Sequence, residues 1–274
     1  MKNFEEQLKI IYAKNLNDKK TWYSSVAATY NRTRPRYPQE LISNVVELAQ
    51  LRANATILEL GCGPGTATVE FGKLDFFMVC LEPSGEASEF ARQNCLQYEN
   101  VEVNNTTFEE WEAKGKEFDA VLAATSFHWV SGEIRCSKSA DVLKDNGSLI
   151  LLWNKEPQPN YEVYELLNPV YQQLAPQLAR YESKETQEKV IKEFGESVID
   201  CDYFTNVVYG QQFCEITYTI DDYLGLLSTL SPYIALEVEH RNTLFTSLRE
   251  VLEKHCGNGL QTSHVSAFHL ARKK

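Results

Sequence analysis

Glu59-Leu60-Gly61-Cys62-Gly63-Pro64-Gly65-Thr66 directly follows the apolar run Thr56-Ile57-Leu58 and leads into a helical pattern from Thr66 to Lys73. The order is strand, tight turn, helix. Gly61, Gly63 and Gly65 remove three β-carbons from one turn, which frees the backbone for unusual dihedrals and for close approach by a flat ligand. In an open α/β sheet the first such turn lies at the carboxyl ends of the strands, where ligands bind.

Working outward, the same rhythm repeats. Phe76 to Leu81 predicts a second strand, Gly85 to Tyr98 a helix, Val101 to Asn104 a third strand and Phe118 to Ala124 a fourth. Ser131 to Leu143 predicts a helix, Lys144-Asp145-Asn146-Gly147 a turn and Ser148 to Trp153 a fifth strand. Such alternation implies a parallel sheet covered on both faces.

Upstream, residues 4 to 16 and 39 to 51 predict amphipathic helices, the latter from Leu41, Ile42, Val45, Val46 and Leu48. Downstream, Glu156-Pro157-Gln158-Pro159-Asn160 interrupts the chain, and Tyr161 to Arg180 predicts a helical lid. Phe204 to Tyr209 and Gln212 to Tyr218 read as β structure, Ile220 to Leu230 and Ile234 to His255 as helices, and Ser263 to Leu270 as a last strand. We expect one domain over residues 1–274, with a helical cap (1–50), a cofactor-binding α/β core (51–155), and lid helices with C-terminal strands (156–274).

The dinucleotide fingerprint G-x-G-x-x-G would need a third glycine where this chain has Thr66. The turn instead fits E-x-G-x-G-x-G, and it resembles the first motif of class I S-adenosylmethionine-dependent methyltransferases. Glu82 ends the second strand, where a carboxylate can accept both ribose hydroxyls of an adenosine ligand. Phe118-Asp119-Ala120-Val121 through His128-Trp129 resembles the F-D-x-V…H-W stretch of small-molecule methyltransferases, and Val142 to Ile150 is similar to their V-L-K-P-G-G segment. Tyr30-Asn31-Arg32-Thr33-Arg34-Pro35-Arg36-Tyr37-Pro38 is similar to the Y-x-x-x-R-P-x-Y-P entry segment of the same group, which includes trans-aconitate methyltransferase-like proteins.

The resemblance implies a Rossmann-like sheet of seven mostly parallel strands with an antiparallel last strand and a helical lid insertion. It implies S-adenosylmethionine as cofactor, held by Tyr30, Arg34, Glu59, Gly61, Cys62, Gly63, Gly65, Glu82, Pro83, Thr107, Phe108, Ala124 and Ser126. Thr107 stands where these enzymes often carry an acid for the adenine amine, which leaves that contact to its hydroxyl, to backbone amides near Phe108, or to stacking. Arg34 can fork onto the methionine carboxylate, and Tyr30 can pack against the sulfonium.

Methyl transfer from a sulfonium is an in-line displacement, so the protein contributes mainly proximity and orientation. His128 and Tyr30 are the candidate catalytic residues. A packed histidine that shapes the pocket beside Trp129 accounts for His128 better than proton transfer does. No metal is expected. A small-molecule acceptor, such as a carboxylic acid, suits the aromatic second half, and Tyr218 to Tyr233 resembles a lid bordering it. The alternatives are a nicotinamide-dependent oxidoreductase and a non-catalytic S-adenosylmethionine-binding protein.

The net charge of −11 repels polyphosphates, which weighs against a nucleic-acid partner. The opening Met1 to Glu6 lacks a secretory apolar run and no stretch approaches a membrane span, so we expect a cytoplasmic protein. Seven scattered cysteines without a C-x-x-C pair read as reduced, mostly buried thiols.

Overall fold

The computed structural model describes residues 16–257 and 259–274, so the helix expected over residues 4 to 16 lies outside the described residues except at its end. Helices α1 (Leu16–Thr21), α2 (Ala27–Thr33) and α3 (Gln39–Leu48) come first, followed by β1 (Thr56–Leu60), α4 (Thr68–Gly72) and β2 (Phe77–Leu81). Next come α5 (Gly85–Asn94), β3 (Val101–Asn104), β4 (Phe118–Ala124), α6 (Arg135–Asp141) and β5 (Leu143–Asn154). The second half holds the two-residue strand β6 (Gln158–Pro159), α7 (Tyr161–Leu174), α8 (Lys184–Ile199) and β7 (Phe204–Tyr218). Helices α9 (Ile220–Ser228), α10 (Ser231–Ile234) and α11 (Val238–Cys256) then lead to β8 (Leu260–Lys273).

Strands β3, β2, β1, β4 and β5 lie side by side and parallel, and β8 joins β5 antiparallel. β7 runs the whole length of β8, while β5 and then β6 pair with residues of β8 that β7 also holds. A strand has two edges, so β7 closes one side of β8 and β5 with β6 the other. The chain moves from β1 outward through β2 and β3, then returns to place β4 on the other flank of β1. Strand order therefore reverses at β1, and the crevice beyond the carboxyl ends of β1 and β4 is the expected ligand position.

Pleating sends neighbouring residues to opposite faces. In β1, Ile57 packs with Leu41, Ile42 and Val45 of α3, while Leu58 packs with Val121, Leu149 and Phe194 on the other face. Apolar side chains are buried on both faces, which is why the central strands read as continuous apolar runs rather than alternating ones. A third core unites α7, α9 and α11 through Leu167, Tyr171, Tyr223, Leu244, Leu248 and Leu252.

Three local readings change. Lys144 to Gly147 is no free turn but an irregularity inside β5, where the register passes from Phe118↔Leu143 to Ala120↔Ser148 and Asn146 takes φ +63°. The two expected β pieces around Gly210 are one strand, because β7 pairs with β8 from end to end. Helix α8 was not expected, although Gln187, Ile191, Phe194 and Val198 recur at helical spacing behind a Ser183 N-cap whose hydroxyl accepts from the Thr186 amide. Among the described residues no helix is long and apolar enough to cross a membrane.

Candidate functional site

The glycine turn is held by its own backbone. Gly61, Gly63 and Gly65 take φ of +63°, +56° and +85°, values that L side chains rarely adopt. A β-carbon on Gly61 would lie 2.8 Å from that of Ser126, whereas one on Gly63 would meet nothing within 4 Å. Gly61 thus permits close packing, and Gly63 leaves a bare surface. The Cys62 amide donates to the Leu81 carbonyl at 3.0 Å, which ties the turn to the end of β2.

Glu82, one residue past β2, completes this corner. Its Oε2 accepts from the Gly63 amide at 2.7 Å and its Oε1 from the Ser84 amide at 2.8 Å. The group is 7% exposed, and burial pushes its carboxyl up to about 7 even though the two amides pull it down. Two of roughly four lone-pair positions remain for a ligand's donors.

A cavity of about 160 Å³ opens in front of this corner. Of the residues singled out by sequence, Tyr30, Arg34, Gly61, Gly63, Glu82, Pro83, Thr107, Phe108, Ala124, Ser126 and His128 line it. Cys62 lines the adjoining space with Gly61, Gly63, Tyr30 and Arg34, its thiol buried. Two residues stand apart. Gly65 packs against Cys95 and Ala91. Glu59 is fully buried behind the turn, where its Oε2 accepts from the Thr68 hydroxyl at 2.6 Å, and burial raises its carboxyl to about 7. That bond ties β1 to the start of α4.

The Thr107 hydroxyl donates to Glu110 at 3.0 Å and also accepts from the Glu110 amide, so its own donor is spent locally. Phe108 presents a buried ring instead. The Arg34 guanidinium lies 4.7 Å from the Tyr30 ring centroid, and its Nε and Nη2 donate to the Thr229 hydroxyl and carbonyl, each at 2.8 Å. The His128 imidazole sits among Trp129, Trp153 and Phe194, with centroids 5.5 to 6.0 Å away.

Several lining residues escaped the sequence reading. Tyr23 faces the cavity, edge-on to Tyr30 and to Trp129, and its hydroxyl bonds Ser231 Oγ at 2.9 Å. Thr125 takes φ +57°, a strained choice for a β-branched residue, and is held by the Tyr37 hydroxyl at 3.0 Å. The segment bearing α1 is pinned across the mouth by Lys20 to Glu110 at 2.8 Å and Ser24 to Ser84 at 3.1 Å. Asp119 serves the opposite end of the sheet: it accepts from the Thr56 amide and from Lys144, at 2.7 and 2.8 Å.

Residues 57–147 match the methyltransferase-domain family. An uncharacterised methyltransferase of Mycobacterium tuberculosis is 32% identical over 132 residues, 48% of this chain and 51% of that protein, so the chain spans about half the length of this relative. The chain shares its fold with a provisionally assigned type II methyltransferase from Anaeromyxobacter dehalogenans, at 21% identity and a TM-score of 0.62, covering 87% of this chain and 97% of that one. A phosphoethanolamine N-methyltransferase of Haemonchus contortus, solved with phosphomonomethylethanolamine and S-adenosylhomocysteine, has the same fold at 12% identity and a TM-score of 0.51, covering 93% of this chain and 58% of that one.

Proposed function

We propose that this chain transfers a methyl group from S-adenosylmethionine to a small-molecule acceptor. The observation that carries the reading is the meeting of the bare Gly63 surface and the Glu82 carboxylate at the carboxyl ends of β1 and β2. Neither feature is needed to make a sheet, and together they suit an adenosine ligand.

Bound S-adenosylmethionine would supply an electrophilic methyl on its sulfonium. The chain's own residues supply the rest. Glu82 accepts the ribose hydroxyls, the Phe108 ring and the backbone around Thr107 border the base, and Arg34, still carrying an Nη1 donor, faces the carboxylate end. Tyr30 offers its ring to the sulfonium. His128 and Trp129 limit where the acceptor can stand, which lowers the barrier by orientation rather than by proton transfer. In this reading residues 51–155 hold the cofactor, and the described residues of 16–50 and 156–274 close over it.

Calorimetry with S-adenosylhomocysteine and with a nicotinamide dinucleotide tests the proposal. Binding of the first alone, lost in Glu82→Ala, is expected. No heat with S-adenosylhomocysteine, or unchanged affinity in Glu82→Ala, overturns it.

A further inference from the structure

A second cavity, of about 330 Å³, lies beside the first. Tyr23 faces the cofactor cavity, while Trp22 and Ser231 face the second. The Tyr23 hydroxyl and the Trp22 indole both bond Ser231 Oγ, at 2.9 and 3.3 Å, so residues 22, 23 and 231 form a shared wall. The chamber is built from the Glu156 to Pro159 segment beyond β5 together with α7, α9 and α10.

Its walls are aromatic, and its polar groups are few. The rings of Trp22, Tyr164, Tyr171, Tyr181, Tyr223 and Tyr233 offer flat apolar contact. Arg180 Nη2 donates to Glu156 Oε2 at 2.6 Å, the ion pair in the lining. Arg180, Lys155 and Arg34 together hold the Glu156 carboxyl below its ordinary range against the cost of burial. Lys155 is also paired with Glu182 at 2.6 Å, which leaves three cations facing two carboxylates in a chain whose net charge is −11.

A guanidinium carries five N–H donors, and Arg180 gives one to Glu156. The others can fork onto a carboxylate. A second, independent feature is the Tyr223 hydroxyl. Tyr223 is 4% exposed and lines the chamber, and its hydroxyl makes no hydrogen bond among the described residues, so a donor there is open to a ligand oxygen in the chamber. Tyr171 and Tyr233, by contrast, satisfy each other at 2.8 Å.

We propose that this chamber binds a small aromatic carboxylic acid, its carboxylate on Arg180 and its ring among the tyrosines. The Trp22, Tyr23 and Ser231 wall separates it from the cofactor cavity, so the chamber is a binding site beside the place of methyl transfer, not that place itself.

The test is calorimetry on the full chain saturated with S-adenosylhomocysteine, using 4-hydroxyphenylacetate, its neutral amide and tyramine as probes. The acid binds, and the amide and the amine bind at least about tenfold more weakly, the scale of one lost charge-assisted contact. The paired variant Arg180→Gln with Glu156→Gln, which keeps the site neutral, loses the acid by a similar factor and keeps S-adenosylhomocysteine affinity. Tyr223→Phe retains the ring and the packing, so it reports on the hydroxyl even if the paired variant fails to fold, and it weakens the acid severalfold. Equal binding of tyramine, no heat from any of the three probes, or an unchanged Tyr223→Phe protein overturns the proposal. Failure of the parent to bind S-adenosylhomocysteine would instead sink the methyltransferase reading and leave the chamber's ligand to be tested on the free chain.

Discussion

Glu82 Oε2 accepts the Gly63 amide at 2.7 Å, so the acid that ends β2 is bonded to the turn that ends β1. A ligand that donates to this carboxylate meets a group already oriented by two amides, and the cost of ordering it is spent in folding.

The same carboxyl makes cofactor affinity depend on pH. Burial raises it to about 7, and a ligand donating hydroxyls to it favours the ionised form, so binding releases a proton. Affinity for S-adenosylhomocysteine should therefore rise with pH, by up to about tenfold per unit below 7, and level off above. Glu82→Gln should bind at least about tenfold more weakly at pH 8, with this dependence removed. Calorimetry from pH 6 to 8 reads both, and a flat profile in the parent contradicts the assignment.

Gly61 and Gly63 share a positive φ but not their surroundings. Gly61→Ala drives a methyl to 2.8 Å from Ser126 Cβ and should cost about 2 to 4 kcal/mol of stability, strain and clash together. Gly63→Ala meets no atom within 4 Å, so it pays about 1 kcal/mol for its backbone while its methyl protrudes into the ligand's place. Thermal melts and binding titrations should separate them. Gly61→Ala melts several degrees lower, whereas Gly63→Ala melts nearly as the parent does and loses S-adenosylhomocysteine. Similar melting of the two variants would count against the geometry.

The core was open to reading because β1 and β4 are buried on both faces and the glycine turn is local; Thr56 to Leu60 and Phe118 to Ala124 declare themselves without any distant partner. Elements set by long-range pairing were harder. β7 is one strand only because β8 lies beside all of it, and its mixed surface pattern through Gly210 hides that. The site shows the same division. Gly61, Gly63 and Glu82 carry their chemistry in their spacing, while Tyr23 and Thr125 enter it through contacts with Ser231 and Tyr37, more than 80 residues away in sequence. Glu59 belongs to the motif yet faces away from the cavity, a matter of strand pleat.

His269 offers a check on the core that is independent of the site. Its Nδ1 accepts from the Trp153 indole at 3.1 Å and its Nε2 faces the Lys192 carbonyl at 3.1 Å, so the ring fits as the neutral Nε2–H tautomer. Burial lowers it to about 4, and His264 likewise. Each contributes stability that is complete above its unfolded value near 6.5 and is lost as pH falls toward 4. Glu59 and Glu82, raised to about 7, act with the opposite sign between about 4.5 and 7 and offset this slope in the parent. Imidazole NMR signals are therefore the clean measurement, and those of His264 and His269 should stay neutral at pH 5.5. Protonation of either near 6.5 would contradict their burial.

Arg34 joins the entry segment to the second half, since Nε and Nη2 both end on Thr229 beneath the Tyr30 ring. A lysine at this position keeps the charge but has no planar fork, so it can replace at most one of the two bonds. Thr229→Val removes the hydroxyl but leaves the carbonyl, and should therefore be the milder change. If Arg34 faces the carboxylate end of the cofactor, Arg34→Lys should weaken S-adenosylhomocysteine by about tenfold, the worth of one charged hydrogen bond. Affinity for adenosine, which lacks that carboxylate, should change far less. An equal loss for both ligands would mean that Arg34 acts by holding α2 against α9, and its place at the carboxylate end would be refuted.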